Sequence, residues 1–241
     1  MKELDKAIKH SRVLVFMDLE GTQFSHEMTS IAAFKVYLKD DLTIKRIMRP
    51  YTSLVRVKHR VGPFVSKLTG ITDEMLKKDG QPFRVVQQGL RKYLGRDWQK
   101  CRFVTYGSHD MTIIMSSAEN NMDASMEEAR FITHHFFDFS EFLARFVKGE
   151  DGNPLSLSRA LQRFEIPFEG EAHDATADTR NLVRLYEAFL KRKDILKEEY
   201  KKTLARLNHF PSPVQKAMNA LSKGASVDAQ MYDQWVAETF E

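Results

Sequence analysis

The sequence has little cysteine and no long apolar run. Cys101 is the one cysteine among 241 residues, so the chain cannot form an internal disulfide framework and fits a reducing compartment. No stretch approaches the roughly 20 consecutive apolar residues that a membrane span requires. The N-terminus, MKELDKAIKHSR, carries charges of both signs and lacks the apolar core of a signal peptide. We therefore expect a soluble, cytoplasmic protein that does not bind a membrane.

The net charge is also small. Lys and Arg number 37 against 33 Asp and Glu, which gives a formal charge of +4. This excess permits a polyanionic partner without requiring one. The chain is 42% hydrophobic and 29% charged, which excludes a disordered or fibrous protein. A length of 241 residues suits one large domain, or one domain with an appendage.

Apolar patterning predicts a mixed sheet covered by helices, an α/β fold. Three consecutive strands come first, and strands and helices then alternate. The predicted strands span 12–18, 30–38, 43–49, 102–106 and 136–139. The predicted helices span 83–94, about 111–118, 139–146, about 155–164 and a segment after His173.

The last part of the chain differs in character. Residues 191–241 have helical periodicity but are interrupted by Pro-Ser-Pro at 211–213. Basic residues outnumber acidic ones at 191–206, which suits either a nucleic-acid path or the solvated face of a packed helix. We predict a domain at 1–190 and a C-terminal helical extension at 191–241.

Two acidic residues end the first predicted strand. Asp18 and Glu20 are two positions apart, so in an extended strand their carboxylates project from the same face. Because adjacent carboxylates repel each other, they need a cation, and hard oxygen ligands suit Mg²⁺ or Mn²⁺. Acids are also common where a strand runs into a turn, so this pair alone does not establish a metal site.

Three more residues could carry chemistry. Asp110 follows the strand at 102–106, at the edge where open α/β sheets place ligands, although the same position suits a helix cap. His173 and Asp178 lie five residues apart at the start of a helix, where the helix dipole also favours an acid. A histidine beside carboxylates is the side chain best suited to accept a proton near neutral pH.

These residues follow one another in a specific order: Asp-x-Glu, a later Asp, then His-x₄-Asp. In this order the chain resembles the DEDDh (DnaQ-like) family of 3′–5′ exonucleases, a ribonuclease H-like group, over about residues 12–190. KLTGIT at 67–72 resembles the family's groove-lining segment, and residues 155–186 resemble its closing stretch. The GSHDM sequence around Asp110 resembles the Eri-type branch of RNA exonucleases, although His109 stands where that branch often has tryptophan.

The resemblance implies a ribonuclease H-like, mixed five-stranded sheet and cleavage assisted by two divalent metal ions, Mg²⁺ or Mn²⁺. Asp18, Glu20 and Asp178 would hold one ion, and Asp18 would bridge to a second ion near Asp110. His173 would be the general base that deprotonates the attacking water.

Basic residues occupy the stretch that leads into the predicted groove. Between Asp41 and Asp73 the chain has seven Lys and Arg residues and no acid. Such residues beside a carboxylate cluster give phosphates a favourable path, although a solvated loop that happens to lack acids is the alternative. The predicted substrate contacts here are Arg56, Lys58 and Arg60.

Other substrate contacts are predicted around the two motifs. By resemblance, Leu68 wedges against the terminal bases beside Thr69 and Gly70, and Thr22 contacts the terminal nucleotide. Phe24 lies just past the first motif and is predicted to stack on a base.

Together these observations predict a metal-dependent 3′–5′ exonuclease that releases 5′-mononucleotides from single-stranded ends, with RNA slightly preferred over DNA. Two alternatives remain. One is the proofreading subunit of a DNA polymerase, with residues 191–241 docking on a protein partner. The other is a nucleic-acid-binding module with an idle site, which the five filled motif positions disfavour.

Overall fold

The structure is a computed structural model that describes residues 2–207 and 210–239. Within these residues the chain forms one sheet of six strands. The strands are β1 Val13–Gly21, β2 Met28–Leu38, β3 Ile44–Ile47, β4 Tyr51–Leu54, β5 Arg102–Thr105 and β6 Phe136–Asp138.

Twelve α-helices surround the sheet or follow it in the described part of the chain. The helices of the first half are α1 Lys2–Ala7, α2 Pro63–Thr69, α3 Asp73–Asp79, α4 Phe83–Leu94 (extended by a 3₁₀ helix, Gly95–Lys100) and α5 His109–Asn120. Those of the second half are α6 Met126–His134, α7 Phe139–Leu143, α8 Leu157–Arg163, α9 Ala175–Lys191, α10 Lys193–Ala205, α11 Ser212–Ser222 and α12 Ala229–Ala237.

The sheet has five strand positions, in the order β3-β2-β1-β5-β6. β1 pairs antiparallel with β2 and parallel with β5, so the sheet is mixed. β4 shares the outer position with β3, because the two pair with different stretches of β2. Pro50, which has no N–H to donate, lies between these two short strands. The predicted mixed sheet is confirmed, although it has six strands rather than the predicted five, because β3 and β4 share one position.

β1 runs through the centre because its first five residues are apolar and both of its faces are covered. Leu14 and Phe16 enter the core on the α9 side, whereas Val15 and Met17 enter the core on the α4 and α5 side. This alternation continues beyond the apolar run. It therefore places Asp18 and Glu20 on the face that α9 covers.

The sequence patterns located long elements better than short ones. The predicted helix at 83–94 has the same bounds in the structure, whereas the helix predicted at 139–146 ends as an α-helix at Leu143. The sequence reading did not find α1, β4, α2, α3 or α6. α2 is only seven residues long and buries none of its residues, so its apolar pattern is too short to predict a helix.

The C-terminal helices bury fewer residues the farther they lie along the chain, from α10 to α12. α10 contacts the rest of the chain through a ring contact of Tyr200 with Phe146 (5.3 Å between centroids) and an ion pair of Glu199 with Arg163 (3.5 Å). α11 buries only Pro213, and α12 buries none of its described residues. Within the described ranges, no helix is long and apolar enough to cross a bilayer.

Candidate active site

β1 carries the first two acids to the edge of the sheet. Glu20 pairs in register with Ser30 of β2, and the register shifts between Glu20 and Gly21, the last residue of the strand, which pairs with Met28. At Gly21 a Cβ atom would lie 2.9 Å from Cγ1 of Ile113, so a larger residue would push α5 away. Glycine at this position therefore lets α5 pack directly against the end of β1.

Asp110 connects the start of α5 to β1. Its buried carboxylate accepts a hydrogen bond from the Leu19 N–H at Oδ1, with a donor–acceptor distance of 2.9 Å. Ser108 occupies the cap position, and Asp110 lies in the first turn of α5. The backbone amide between Asp18 and Glu20 therefore fixes Asp110 next to both of them.

The start of α9 supplies the histidine and the fourth acid. Asp174 caps the helix by accepting the Ala177 N–H at 2.8 Å. His173 adopts a left-handed backbone conformation (φ 67°), and its N–H donates to Oδ2 of Asp178 at 2.8 Å. This hydrogen bond holds Asp178 beside His173, whose side chain is exposed.

The five residues predicted from the motif meet at one place. Glu20, His173 and Asp178 each offer one ligand atom, and these atoms lie within 4.8 Å of one another. Asp18 and Asp110 lie close enough for their charges to interact. A strand, a loop and two helix starts thus converge on one acidic centre.

Burial and mutual repulsion raise the pKa values of the four acids. Burial raises the pKa of Asp18 well above its ordinary value, and the charges of Asp110 and Glu20 raise it further. Burial and the charge of Asp178 raise the pKa of Glu20 to about 8, and burial raises that of Asp110 to about 7. Burial also raises the pKa of Asp178. A cluster of buried anions needs a positive charge to be stable, and this set of oxygen and nitrogen donors fits a divalent cation.

A groove of about 440 Å³ adjoins His173. It lies between the start of α9, β2, β4 and the segment after α2. The predicted residues Thr69 and Gly70 line it, and Leu68 next to them is 40% exposed. The groove therefore joins the predicted Leu-Thr-Gly segment to the acidic centre.

Phe24 lies in the loop between β1 and β2 and is 79% exposed. The preceding residue, Gln23, accepts the Phe64 N–H at Oε1 (3.2 Å), which holds this loop next to the start of α2. Phe64 is 64% exposed and was missed in the sequence.

The structure does not support Thr22 as a substrate contact, because its side chain is only 2% exposed. Its hydroxyl oxygen accepts the Glu27 N–H at 2.9 Å and shares a hydrogen bond with Ser25 (2.7 Å). Thr22 therefore stabilises the loop from inside.

Glu27, which sequence reasoning also missed, holds the basic segment in place. Its buried carboxylate accepts the Lys58 N–H at 2.7 Å and pairs with Nδ1 of His59. Arg56 and Arg60 are exposed, whereas the Lys58 ammonium donates to the carbonyl oxygen of Asn120. Of the three predicted basic contacts, Lys58 is thus already engaged within the protein.

Comparison with known proteins shows the family of this chain. Residues 15–186 match a family described as exonuclease (RNase_T). No curated protein matches the sequence of this chain.

Solved structures with less than 25% sequence identity show a similar fold. The nuclease domain of 3′hExo, a DEDDh family member bound to rAMP, has 17% identity and a TM-score of 0.60, over 76% of this chain and 94% of that chain. A 3′-exonuclease that recognises the histone mRNA stem-loop has 16% identity and a TM-score of 0.57, over 76% of this chain and 83% of that chain. E. coli Exonuclease I in complex with a dT13 oligonucleotide has 17% identity and a TM-score of 0.59, over 80% of this chain and 44% of that chain.

The family match spans well over half of the chain. It confirms the predicted exonuclease, and the fold is the one that DEDDh enzymes adopt. The chain belongs to the exonuclease family.

Proposed function

We propose that this protein is a metal-dependent 3′–5′ exonuclease that removes 5′-mononucleotides from single-stranded nucleic acid. The convergence of four carboxylates and one histidine at the end of β1 carries this proposal. The exonuclease family match supports hydrolysis of phosphodiester bonds as the reaction.

The acidic centre would hold two divalent ions, Mg²⁺ or Mn²⁺. Asp18, Glu20 and Asp178 would bind the first, and Asp18 and Asp110 the second. Bound ions of this kind lower the pKa of a water nucleophile and stabilise the leaving 3′-oxygen. The raised pKa values of the four carboxylates support this assignment, because they mark a site with an excess of negative charge.

His173 would act as the general base. Its side chain is exposed, so an imidazole nitrogen can accept a proton from an attacking water and release it to solvent. The hydrogen bond from its own N–H to Asp178 keeps the base next to a proposed metal ligand.

The 3′-terminal nucleotide would occupy the groove beside His173. Leu68, Thr69 and Gly70 would contact it, and Phe24 would stack on a base. The groove opens next to Glu20, because Ser30, the register partner of Glu20, is part of its lining.

The basic segment would bind phosphates farther from the scissile bond. Lys58 reaches the last residue of α5, Asn120, whereas Asp110 lies in the first turn of that helix. The separation of ten residues corresponds to about 15 Å along the helix axis. Arg56 and Arg60 would therefore attract the strand upstream of its 3′ end.

We propose a slight preference for RNA. Ser30, Thr52 and Thr176 place hydroxyl groups along the groove, where they can pair with a ribose 2′-hydroxyl. Among the structural neighbours, one is bound to rAMP and another recognises a histone mRNA stem-loop, whereas Exonuclease I binds DNA.

The extension is proposed to be separate from this chemistry. The division between 1–190 and 191–241 falls at the junction of α9 and α10, and the exposed surface of α11 and α12 is available to a protein partner. A location in the cytoplasm stays a prediction.

Digestion of matched substrates tests the proposal. Single-stranded RNA, single-stranded DNA and duplexes carrying a 5′ label should be compared with Mg²⁺, Mn²⁺ or a chelator. We expect a ladder that shortens one nucleotide at a time from the 3′ end, with single strands cut faster than duplexes. A 3′-blocked strand should resist cleavage. Uncut substrate with every metal would indicate instead a nucleic-acid-binding module whose site is catalytically idle.

A further inference from the structure

Asn181 makes an unusual set of hydrogen bonds from a fully buried position on α9. Its amide pairs with the backbone of Glu169 in both directions: Oδ1 accepts the Glu169 N–H at 3.1 Å, and Nδ2 donates to the Glu169 carbonyl at 2.8 Å. Nδ2 also donates to the Ala177 carbonyl at 2.9 Å. Both donor hydrogens of the amide are therefore used.

Arg184, one turn further along α9, holds the same segment. Its Nη1 donates to the Pro167 carbonyl at 2.7 Å and to Oδ1 of Asn181 at 2.9 Å. Its Nη2 pairs with the Glu169 carboxylate at 3.1 Å. Two side chains of α9 thus hold the backbone at residues 167–169.

This held segment lies directly before the loop that carries the proposed base. Residues 170–173 are all exposed, so no buried side chain anchors them. Gly170 and His173 both have left-handed backbone conformations, with φ of 87° and 67°. The His173 N–H is bonded to Asp178, and the two ends of the loop are held by the Asp174 cap and by Asn181.

A polar amide at this position is not needed for core packing. Asn181 is followed by Leu182 and Val183, which are buried among apolar side chains. A buried amide is unfavourable unless it is hydrogen-bonded, and here its partners are the backbone of the loop. The Asn181 side chain thus binds the backbone before the loop and is not required to fill the core.

We propose that Asn181 is a positioning residue for His173. By fixing the backbone at Glu169, it sets where the imidazole lies relative to Glu20 and Asp178. The inference rests on the proposed function of His173 as the base, but the effect of Asn181 on the loop conformation can be measured without an activity assay.

The test compares two variants with a matched control. Asn181→Ala removes the whole amide pair, and Arg184→Ala removes the outer contacts without changing the buried core. Tyr186→Phe is the control, because it removes another buried hydrogen bond of α9, to the Leu42 carbonyl, without touching the loop. Thermal unfolding would show that the variants are folded.

The first readout is structural. In Asn181→Ala the 165–174 segment should exchange its backbone amide hydrogens faster, and the NMR signal of the His173 imidazole should shift. Arg184→Ala should show smaller changes in the same direction, and Tyr186→Phe should show neither. Unchanged exchange and an unchanged His173 signal in both loop variants would overturn the proposal.

The second readout is kinetic. With single-stranded RNA and Mn²⁺, Asn181→Ala should lower kcat roughly 10- to 100-fold, the range typical of residues that support metal ligands from the outer shell, with little change in KM. In a His173→Ala background the same substitution should cause no further loss. An equal loss in both backgrounds would overturn the assignment to His173. If the wild-type protein cuts no nucleic acid, the proposed function fails, and the structural readout still decides the role of Asn181.

Discussion

The acids of the site and the residues around them are held in different ways. Asp18 lies on the central strand, and Asp110 and Asp178 lie in the first turns of long helices. His173 and Phe24, by contrast, are exposed on loops. The acids are thus fixed by the core, whereas the base and the substrate contacts stand on exposed loops, with the His173 backbone held by its hydrogen bond to Asp178. Substitutions of the fixed part should therefore have larger effects than substitutions of the exposed part.

The largest effect is expected for Asp18→Ala. It removes the proposed ligand shared by both ions, and loss of several kcal/mol of metal-ion stabilisation corresponds to a rate decrease of roughly 10³-fold or more. Single-turnover cleavage of a single-stranded oligonucleotide measures the loss. Asp233→Ala, on the exposed surface of α12, is the matched control. A near-wild-type rate for Asp18→Ala would contradict the proposed metal site.

His173→Ala should have the next largest effect. Loss of a general base lowers rates by roughly 10²–10⁴-fold. Because the side chain is exposed and on a loop, we expect oligonucleotide affinity and thermal stability to change little. Rate and affinity should be measured in parallel, with the exposed His134→Ala of α6 as control. A matching decrease in affinity would assign His173 to substrate binding instead.

The site acids could be predicted from the sequence because the order of their motifs along the chain resembles that of a known family. An apolar strand followed by Asp-x-Glu fixes both the face and the edge of the sheet. The role of Thr22 could not be read this way, since its hydroxyl bonds depend on a loop that folds back to Glu27. The contacts of Glu27 with Lys58 and His59 likewise join residues about 30 positions apart, which no local sequence pattern predicts.

The same reason explains which parts of the fold were found. The helix at 83–94 shows its apolar stripe in the sequence because one face packs on the sheet. α2 and α3 are short and bury almost nothing. Gly70 caps the end of α2, and Thr72 caps the start of α3. Both are typical capping residues and can be recognised once the helices are known.

A smaller effect is expected from the basic segment. Neutralising Arg56, Lys58 and Arg60 together should weaken oligonucleotide binding and reduce the slope of log affinity against log salt by at most about 2, because each of three phosphate contacts with a single strand would contribute about 0.7. The cleavage rate at saturating substrate should change little. Binding titrations across a salt series measure the slope.

The structure sharpens this expectation, because Lys58 is already engaged by Asn120. The double variant of Arg56 and Arg60 should therefore reproduce most of the effect of the triple variant. Neutralising Lys2 and Lys6, two exposed residues of α1, provides the matched control. An unchanged slope in the triple variant would mean that this segment is only a solvated loop.

The smallest effect concerns the stability of the metal-free protein. The pKa of Glu20 is raised from 4.5 to about 8 and that of Asp110 from 3.8 to about 7, so the folded protein keeps protons that the unfolded chain has released. Between about pH 4 and pH 8 these two groups therefore make the folded state less stable as pH rises. With a chelator present, the unfolding temperature should be a few degrees lower at pH 8 than at pH 6.

Two comparisons separate this contribution from other titrating groups. Glu20→Gln removes one of the two groups, so the metal-free variant should lose less stability between pH 6 and pH 8 than the wild type. Adding Mg²⁺ or Mn²⁺ to the wild type should restore most of the loss at pH 8, because a bound cation offsets the repulsion that the protons had relieved. If the wild type and Glu20→Gln show the same pH dependence without metal, Glu20 does not retain its proton in the folded state, and the charge of the acidic centre does not destabilise the metal-free protein.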